Sequence, residues 1–223
     1  ELKLLVDAVQ ASRFMTVKKS RELIKKLEKL AGKNQAGQLQ RQVFVAGRVK
    51  TENERIYYNV DTLYKAIDEN VMISFLYLEW NLDRELCPRK NGERYCVSPW
   101  ALIWEDENYY LAAYDAQADT IKHYRVDKMG EVTLLREKRK GREQFDKLNP
   151  AEYTKHTFGM FGGQTQTVTL RFENRLVGVV LDRFGRETDI RRTDKEHFCV
   201  RVQAAVSGQF FGWLAGIGRE AVI

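Results

Sequence analysis

The sequence contains few of the residues that build covalent or metal-based frameworks, with three cysteines, three histidines and three prolines in 223 residues. The cysteines Cys87, Cys96 and Cys199 form no CxxC pair, and no histidine stands at metal-ligand spacing from them. An odd number of such cysteines is typical of reduced thiols in a cytoplasm. We therefore expect no disulfide framework, no metal site and no bound cofactor.

Long apolar runs are also missing. No run approaches the roughly 20 residues that span a bilayer, and residues 1–7 show no signal-peptide pattern. With 43% hydrophobic and 30% charged residues, the composition is that of a globular protein. We expect a cytoplasmic protein without membrane contact. Because the chain lacks an initial Met and ends on a strand-like pattern, we expect a fragment of a longer protein.

The motifs of common enzyme classes are absent as well. The sequence has no P-loop, GxGxxG, GxSxG or HExxH motif, and no carboxylate pair stands out for acid–base chemistry. The glycines within 159–163 lack the Lys-Ser/Thr of a phosphate-binding loop, so a crossover is the simpler interpretation. His123, His156 and His197 fall in three separate predicted elements. We therefore expect no enzymatic activity.

Positive charge is concentrated in two zones, within a net charge of +6. Residues 13–50 contain eleven Lys or Arg and two Asp or Glu, while residues 121–142 contain eight and three. The rest of the chain is acidic. Two basic zones on an acidic body favour an anionic partner. Solvated faces of Lys-rich helices would give the same pattern, and both interpretations of residues 13–50 stay open.

Helical periodicity dominates the first 69 residues. We expect a short amphipathic helix over residues 2–12 and a second helix that is capped by Thr16 or Ser20 and ends at Gly32. Residues 33–56 are polar, with a short strand or helix at 43–45. A third helix is expected to begin after Asn59, with an apolar face of Val60, Leu63, Tyr64 and Ile67. Since these helices form no closed core alone, residues 1–69 are interpreted as a linker and dimerisation segment.

From residue 71 the apolar period changes to two, which is typical of strands. Ile73, Phe75 and Tyr77 share one face of the first strand. The predicted strands are 71–78, 95–104, 109–114, 121–126 and 131–135. Five short strands joined by tight turns favour a small β-barrel over residues 70–136.

A charged connector, residues 137–166, precedes a second domain at 167–223. Its predicted elements are a strand at 168–172, a helix from Leu176 to Phe184, a strand at 198–206 and a helix that follows Ser207 and ends at Gly218. This order favours a ferredoxin-like domain. The predicted fold class is therefore α+β, with a helical linker, a small barrel and a ferredoxin-like domain.

The predicted barrel is rich in rings and cations. The rings are Tyr77, Tyr95, Trp100, Trp104, Tyr109, Tyr110, Tyr114 and Tyr124, and the cations are Arg94, Lys122, His123, Arg125 and Lys128. Most of the rings would fill the core. Rings that line a cleft could instead stack on bases while the cations contact phosphates.

His123 and Arg125 stand two residues apart on one predicted strand. Side chains at this spacing share a face, and an imidazole beside a guanidinium suits an anionic or phosphate-bearing ligand. The alternative is a structural ion pair between Arg125 and Asp127, and this alternative stays open.

The same region resembles the WYL domain, a family named for a Trp-Tyr-Leu run that appears here as Tyr109-Tyr110-Leu111. Pro99, Leu102 and the run 124–129 extend the resemblance, and residues 210–218 resemble the C-terminal extension of the family, called WCX. Two residues depart from the family pattern. Tyr109 replaces Trp and loses the indole N–H, and Lys128 replaces Arg and loses bidentate geometry.

The resemblance implies a bacterial, homodimeric transcription regulator in which an Sm/SH3-like WYL barrel senses a ligand and a winged helix-turn-helix binds DNA. The ligand would be nucleic-acid-like, such as single-stranded DNA, or otherwise anionic. Residues 1–30 are too few for the DNA-binding domain, which is expected outside this chain. Matching to the family gives the pocket residues Tyr77, Ser98, His123, Tyr124, Arg125 and Lys128. The pattern of rings and cations adds Arg94, Tyr110 and Lys122.

Two other functions stay open. A constitutive single-stranded nucleic-acid-binding barrel without switching would lose affinity steeply with salt and ignore substitutions in the pocket. A protein-interaction scaffold would bind no nucleic acid at any salt concentration.

Overall fold

The computed structural model describes residues 2–30, 50–51, 53–147 and 164–223. The chain divides into two compact units, Glu1–Phe145 and Asp146–Ile223. The expected end of the second helix at Gly32, the element at 43–45, the glycines within 159–163 and His156 lie outside the described residues.

Helices and strands up to residue 147 follow the predicted order. The helices are α1 (Leu2–Ala11), α2 (Val17–Leu30), α3 (Ile56–Asp68) and α4 (Arg142–Asp146). The strands are β1 (Val71–Trp80), β2 (Leu86–Pro88), β3 (Tyr95–Glu105), β4 (Asn108–Asp115), β5 (Thr120–Arg125) and β6 (Met129–Lys138). The three-residue strand β2 was not predicted.

Helices α1 and α2 form a hairpin whose turn is held by polar groups. Thr16, not Ser20, caps α2, because the Lys19 backbone N–H donates to Thr16 Oγ1 at 3.1 Å. Ser20 is buried inside α2. The Lys50 ammonium donates to the carbonyl oxygens of Val9 and Ser12, at 3.4 and 2.7 Å, and to Ser20 Oγ at 3.0 Å. It thereby satisfies carbonyl groups at the end of α1, where a positive charge is favourable.

Helix α3 begins before the expected residue. It starts at Ile56, and its buried stripe is Ile56, Asn59, Leu63 and Ala66. Asn59 is therefore not a cap, and Tyr64, expected on the apolar face, is exposed. Asn59 can be buried because its side-chain amide donates to the Met129 carbonyl oxygen at 2.7 Å.

Within residues 53–147, six antiparallel strands form one curled sheet. Its hydrogen-bonded order is β2-β1-β3-β4-β5, and β6 also pairs with β1. Register shifts in the β1–β6 ladder, between Val71 and Ile73 and between Ser74 and Leu76, bend the sheet. The sheet is a half-barrel and not the closed barrel that was expected, since no ladder joins β5 to β6 in this part of the chain. A single 3₁₀ turn, Val126–Lys128, connects them.

The concave face of the half-barrel carries the core. Ile73, Phe75, Val97, Leu111 and Val126 are almost completely buried there, and Leu63 and Ile56 of α3 pack against them. The alternation of these residues along the strands is the period-two pattern from which the strands were predicted.

The segment 139–145, which follows β6, packs against Trp100 and Tyr114 of the sheet, and we call these contacts the clamp. The Trp100 indole N–H donates to the Lys140 carbonyl oxygen at 3.0 Å, and the indole stacks on Phe145 with ring centroids 5.4 Å apart. The Arg139 guanidinium lies 4.2 Å from the Trp100 ring centroid. Gly141 passes directly over Tyr114 with φ +78°, where a Cβ atom would lie 2.1 Å from the ring.

Within residues 164–223, four strands and two helices form the second unit. The strands are β7 (Gln164–Glu173), β8 (Ile190–Arg192), β9 (His197–Val206) and β10 (Ala221–Val222), and the helices are α5 (Val177–Phe184) and α6 (Gly208–Ile217). The antiparallel order β10-β7-β9-β8 with the succession βαββαβ is the predicted ferredoxin-like arrangement. Ser207 caps α6 as expected, by accepting from the Phe210 N–H.

Both helices of this unit cover the same face of its sheet. Val180 of α5 and Phe210 and Leu214 of α6 are buried against Leu170, Phe172, Phe198 and Val200 of the central strands. The α+β class predicted from the sequence is confirmed.

Replacing Gly141 by Ala tests the clamp. The new methyl group would collide with the Tyr114 ring, and the positive φ would add backbone strain, so we expect a loss of about 1–3 kcal/mol in the free energy of unfolding. Urea unfolding followed by tryptophan fluorescence measures it. Gly130→Ala is the matched control, because a Cβ there meets only Leu78 at 3.5 Å. Equal losses in both variants would contradict the clamp.

Candidate functional site

Four aromatic residues form a connected cluster at one end of the concave face, here called the tyrosine cluster: Phe75, Tyr77, Tyr95 and Tyr124. Phe75 stacks on Tyr95 at 5.4 Å between centroids, and Tyr124 meets the edges of Phe75, Tyr77 and Tyr95 at 5.2, 5.6 and 5.7 Å. Tyr77 and Tyr95 are half-buried, whereas Phe75 and Tyr124 are buried. The cluster therefore reaches the surface through Tyr77 and Tyr95.

A cation lies over this surface. Lys90 Nζ is 4.8 Å from the centroid of the Tyr95 ring, which is a cation–π distance. Lys90, Asn91 and Gly92 have consecutive positive φ values of 51°, 53° and 85°. Left-handed conformations cost non-glycine residues about 1–2 kcal/mol each, and such strain concentrates at functional sites.

The Tyr124 hydroxyl is a buried polar group without a hydrogen-bond partner in the described part of the chain. Burial raises the pKa of Tyr124, and the nearby Asp115, Tyr95 and Tyr77 raise it further. The phenol therefore keeps its proton and can donate it in a hydrogen bond. A ligand that reached the tyrosine cluster could satisfy this group.

The opposite, convex face of the sheet carries Arg125. Its guanidinium donates to both carboxylate oxygens of Asp127, at 3.0 and 2.7 Å, and to Asn108 Oδ1 at 3.0 Å. The structural ion pair left open by the sequence is thus the arrangement observed. The hydrogen bonds to Asp127 raise the pKa of Arg125 further, and its guanidinium group is committed to the fold.

His123 shares this face with Arg125, as predicted, but it is not an anion-binding cation. Burial lowers the pKa of His123 to about 4, so the ring is neutral at physiological pH. Its neighbour in the ladder is Ala112, which is completely buried.

The structure does not bring the nine predicted residues into one pocket. Tyr77 and Tyr124 lie in the tyrosine cluster, and Tyr77 Oη accepts from the Arg125 backbone N–H at 3.2 Å. Tyr110 pairs with Arg125 in the ladder and is buried on the convex face with His123. Because neighbouring residues of a strand point to opposite faces, Tyr124 leaves β5 on the other face from His123 and Arg125.

The four remaining predicted residues have separate environments. Arg94 binds Glu131 Oε2 at 2.9 Å, and Lys122 binds Asp115 Oδ2 at 2.6 Å. Ser98 is buried, and its hydroxyl accepts from the Lys140 N–H at 2.9 Å. Lys128 is half-buried, and no ion pair within the described residues holds it.

Much of the basic zone 121–142 is therefore structural. Lys122 is held by Asp115 and Arg125 by Asp127. Lys138 donates to the Glu69 carbonyl oxygen and Arg139 to that of Pro99. The number of basic residues in this zone overstates the charge that is available to a partner.

Tyr109, the first residue of the family motif, contacts the N-terminal hairpin. Its ring lies 5.1 Å from Phe14 and 4.7 Å from Trp104, edge to face. Phe14 in turn contacts Tyr57 at 5.7 Å. An apolar cavity of about 460 Å³ lies beside this contact, between α1, α2 and the β3–β4 turn. Its lining is mainly apolar, and Ser12 and Lys26 are the polar side chains among the lining residues.

Sequence reasoning did not single out Lys90, which lies over the Tyr95 ring, and named Tyr95 only among the rings. The signal was the Asn91-Gly92 dipeptide between two predicted strands, which favours left-handed backbone. The described residues contain no group of three or more potential metal ligands. They also contain no helix long and apolar enough to cross a membrane.

Comparisons with known proteins agree with the sequence resemblance. Residues 58–134 match the family model of the WYL domain, and no curated protein matches significantly. Among solved structures, proteasome accessory factor B/C (PafBC) of Arthrobacter aurescens is similar, with 16% identity and a TM-score of 0.36 over 75% of this chain and 24% of that chain. This chain thus spans about a quarter of the length of that protein.

The low pKa of His123 predicts a pH dependence of stability. Unfolded histidine titrates near 6.5 and the folded ring near 4, so the unfolded state binds the extra proton between these values. Stability should fall by up to about 3 kcal/mol as the pH drops through this window. Urea unfolding at several pH values measures it, and His123→Gln should flatten the slope. An unchanged slope in that variant would contradict a neutral His123.

The pair of Arg125 and Asp127 predicts coupled losses of stability. Arg125→Ala leaves a carboxylate that is 16% exposed without its main partner, so we expect a loss of about 1–2 kcal/mol. Asp127→Ala should cost a similar amount, and the double variant little more than either. Arg136→Ala, at an exposed position of β6, is the control. Additive losses in the double variant would show that the pair is not a unit.

Proposed function

We propose that this chain, whose residues 58–134 match the family model of the WYL domain, is the effector-sensing region of a WYL-type transcription regulator. It binds a nucleic-acid-like or other anionic effector and has no enzymatic activity. It is homodimeric and transmits the signal to a DNA-binding domain elsewhere in the protein.

The observation that carries the proposal is the tyrosine cluster with Lys90 over its accessible ring. Aromatic rings stack on bases, and an ammonium neutralises a neighbouring phosphate. The Tyr124 hydroxyl supplies a donor at the base of the cluster. These three features suit a ligand with a planar part and a negative charge.

The expected binding residues are revised accordingly. Tyr77 and Tyr124 remain from the original set, Tyr95 and Lys90 are added, and Arg125 acts through Asp127 as a positioning residue. The other six residues expected from the sequence lie outside the tyrosine cluster: Arg94, Ser98, Tyr110, Lys122, His123 and Lys128.

A route from the cluster to the N-terminal helices supports a sensing role. Tyr77 accepts from the Arg125 backbone, and the Arg125 side chain holds Asp127. The amides of Asn53 and Asn59 donate to the carbonyl oxygens of Asp127 and Met129 at 2.8 and 2.7 Å. If the turn 126–128 can take two positions, an effector that binds one of them more tightly shifts the equilibrium toward that position. Because α3 is hydrogen-bonded to Met129 beside this turn, α3 then moves with it.

Titration of the chain with fluorescein-labelled oligonucleotides and nucleotides tests the effector class. Removal of the Tyr95 ring should weaken binding about 5- to 150-fold, because stacking contributes about 1–3 kcal/mol per base. Fluorescence anisotropy measures the affinity of Tyr95→Ala, Tyr95→Phe and Lys90→Gln. Tyr95→Phe keeps the ring and should bind nearly as the parent chain does.

Lys65→Gln is the matched charge control, because Lys65 lies on the exposed side of α3 and pairs with Glu69. If Lys90→Gln and Lys65→Gln have equal effects, or if Tyr95→Ala binds normally, the tyrosine cluster is not the effector site.

A further inference from the structure

The apolar cavity beside the N-terminal hairpin, here called the hairpin cavity, is lined by two kinds of apolar side chain. Phe14, Trp104 and Tyr109 contribute rings, and helices α1 and α2 contribute leucines, namely Leu5, Leu23 and Leu27. Its volume of about 460 Å³ lies within the usual range of small-ligand sites, about 300–1,000 Å³. The hairpin cavity is therefore large enough for a small molecule with an apolar body.

The rings of the hairpin cavity contact one another edge to face. The centroids of Trp104 and Tyr109 are 4.7 Å apart with planes at 73°, and those of Phe14 and Trp104 are 5.5 Å apart with planes at 84°. Aromatic rings prefer this arrangement. A flat aromatic molecule can continue the same packing, whereas an alkyl chain gains only from the burial of its surface. The lining thus favours an aromatic ligand.

Apolar side chains of the lining are left partly open to solvent. Leu5 is 51% and Trp104 is 49% exposed. Exposed apolar side chains around a concavity are typical of ligand sites. A cavity of about 150 Å³ lined by Leu, Ile and Phe is known to bind benzene, and the hairpin cavity has about three times that volume. It therefore suits a molecule of two fused rings.

The polar side chains of the lining indicate the charge of the ligand. Lys26 of α2 is exposed and forms no ion pair within residues 2–30 or elsewhere in the described part of the chain. Ser12 Oγ is buried and has no hydrogen-bond partner in the same part. A single ammonium beside an apolar cavity complements a ligand with an apolar body and one carboxylate.

We propose that the hairpin cavity binds a small aromatic carboxylic acid. Its ring system packs against Trp104 and Tyr109, and its carboxylate pairs with Lys26. This ligand needs neither a base nor a phosphate. The site is separate from the tyrosine cluster and does not rest on the function proposed for that cluster.

The bound acid would also strengthen the attachment of the hairpin to the sheet. Besides the Phe14 ring, this attachment includes an ion pair between Arg13 and Glu107 at 3.9 Å and a hydrogen bond from the Thr51 N–H to the Arg13 carbonyl oxygen at 3.0 Å. Ion pairs that are this exposed contribute little. A ligand that contacts α1, α2 and the β3–β4 strands adds apolar contacts on both sides.

Titration of the whole chain with 2-naphthoate by isothermal calorimetry tests the proposal. The probe 2-naphthamide has nearly the same size and shape but no charge, so it measures the apolar contribution alone. We expect 2-naphthoate to bind more tightly than 2-naphthamide at low salt. Added salt should remove the difference, because it screens the exposed ammonium of Lys26.

Two variants separate the charge from the cavity. Lys26→Gln should weaken the binding of 2-naphthoate about 1.5- to 5-fold, as expected for an exposed ion pair, and leave 2-naphthamide unchanged. Its matched control is Lys25→Gln, at the adjacent exposed lysine outside the lining. Ala8→Phe places a ring in the cavity and should prevent the binding of both probes. Its control is Leu4→Phe, at an exposed position of α1 outside the lining.

Several results would overturn the proposal. Equal effects of Lys26→Gln and Lys25→Gln would reduce the charge preference to net charge. Unchanged binding in Ala8→Phe would place the probes elsewhere, and tighter binding of decanoate than of 2-naphthoate would exclude an aromatic ligand. If neither probe binds and Ala8→Phe dissociates a dimer in sedimentation, a second copy of the chain occupies this surface. Tyr95→Ala should bind 2-naphthoate as the parent chain does, so failure of the effector site is read separately.

Discussion

The first unit depends on how Asp127 is held from two sides. Its carboxylate binds the Arg125 guanidinium, and its backbone carbonyl accepts from the Asn53 amide. Two residues later the Met129 carbonyl accepts from the buried Asn59. The turn 126–128 joins β5 to β6, which form no ladder with each other. Side-chain hydrogen bonds therefore fix the position of this turn, whereas in a closed barrel backbone pairing between the two strands would fix it. The curvature of the half-barrel and the position of α3 are fixed at the same point.

This constraint also decides which cations can serve a ligand. A guanidinium that holds a carboxylate bidentately is already in its best geometry, and a competing phosphate would have to leave Asp127 unpaired. Lys122 and Arg94 are also engaged, each by one carboxylate oxygen, of Asp115 and Glu131 respectively. In the first unit, Lys90 over the Tyr95 ring is a cation that forms no ion pair with the described residues.

Patterns within single segments predicted most of the helices and strands, because alternation and capping depend on residues that are close in the sequence. Alternation of Ile73, Phe75 and Tyr77 along β1 follows directly from the pleat, and the cap at Ser207 follows from its position before an apolar helix. Strands β2 and β8 are three residues long, too short for alternation to appear. The start of α3 was misplaced because Asn59 is polar in sequence and buried in the structure, owing to a partner 70 residues away.

The site was less predictable because it depends on contacts between distant segments. The spacing of His123 and Arg125 correctly placed them on one face, but only the fold shows that this face is covered at His123 and neutralised at Arg125. The same spacing places Tyr124 on the other face, with rings from β1 and β3. Lys90 reaches those rings through three consecutive left-handed residues, a conformation that the dipeptide Asn91-Gly92 favours but does not prove.

The proposed coupling between the tyrosine cluster and α3 has a limited strength that follows from its parts. Each hydrogen bond between Tyr77, Arg125, Asp127 and the two asparagines contributes a net of about 0.5–1.5 kcal/mol, or up to about 3 kcal/mol where a charged group is involved. An effector that exchanges one or two of these bonds can therefore bias α3 by a few kcal/mol at most. Allosteric coupling energies are typically about 1–3 kcal/mol. A short chain of hydrogen bonds around one turn is thus sufficient for a sensor of this size, and no larger rearrangement of the sheet is required.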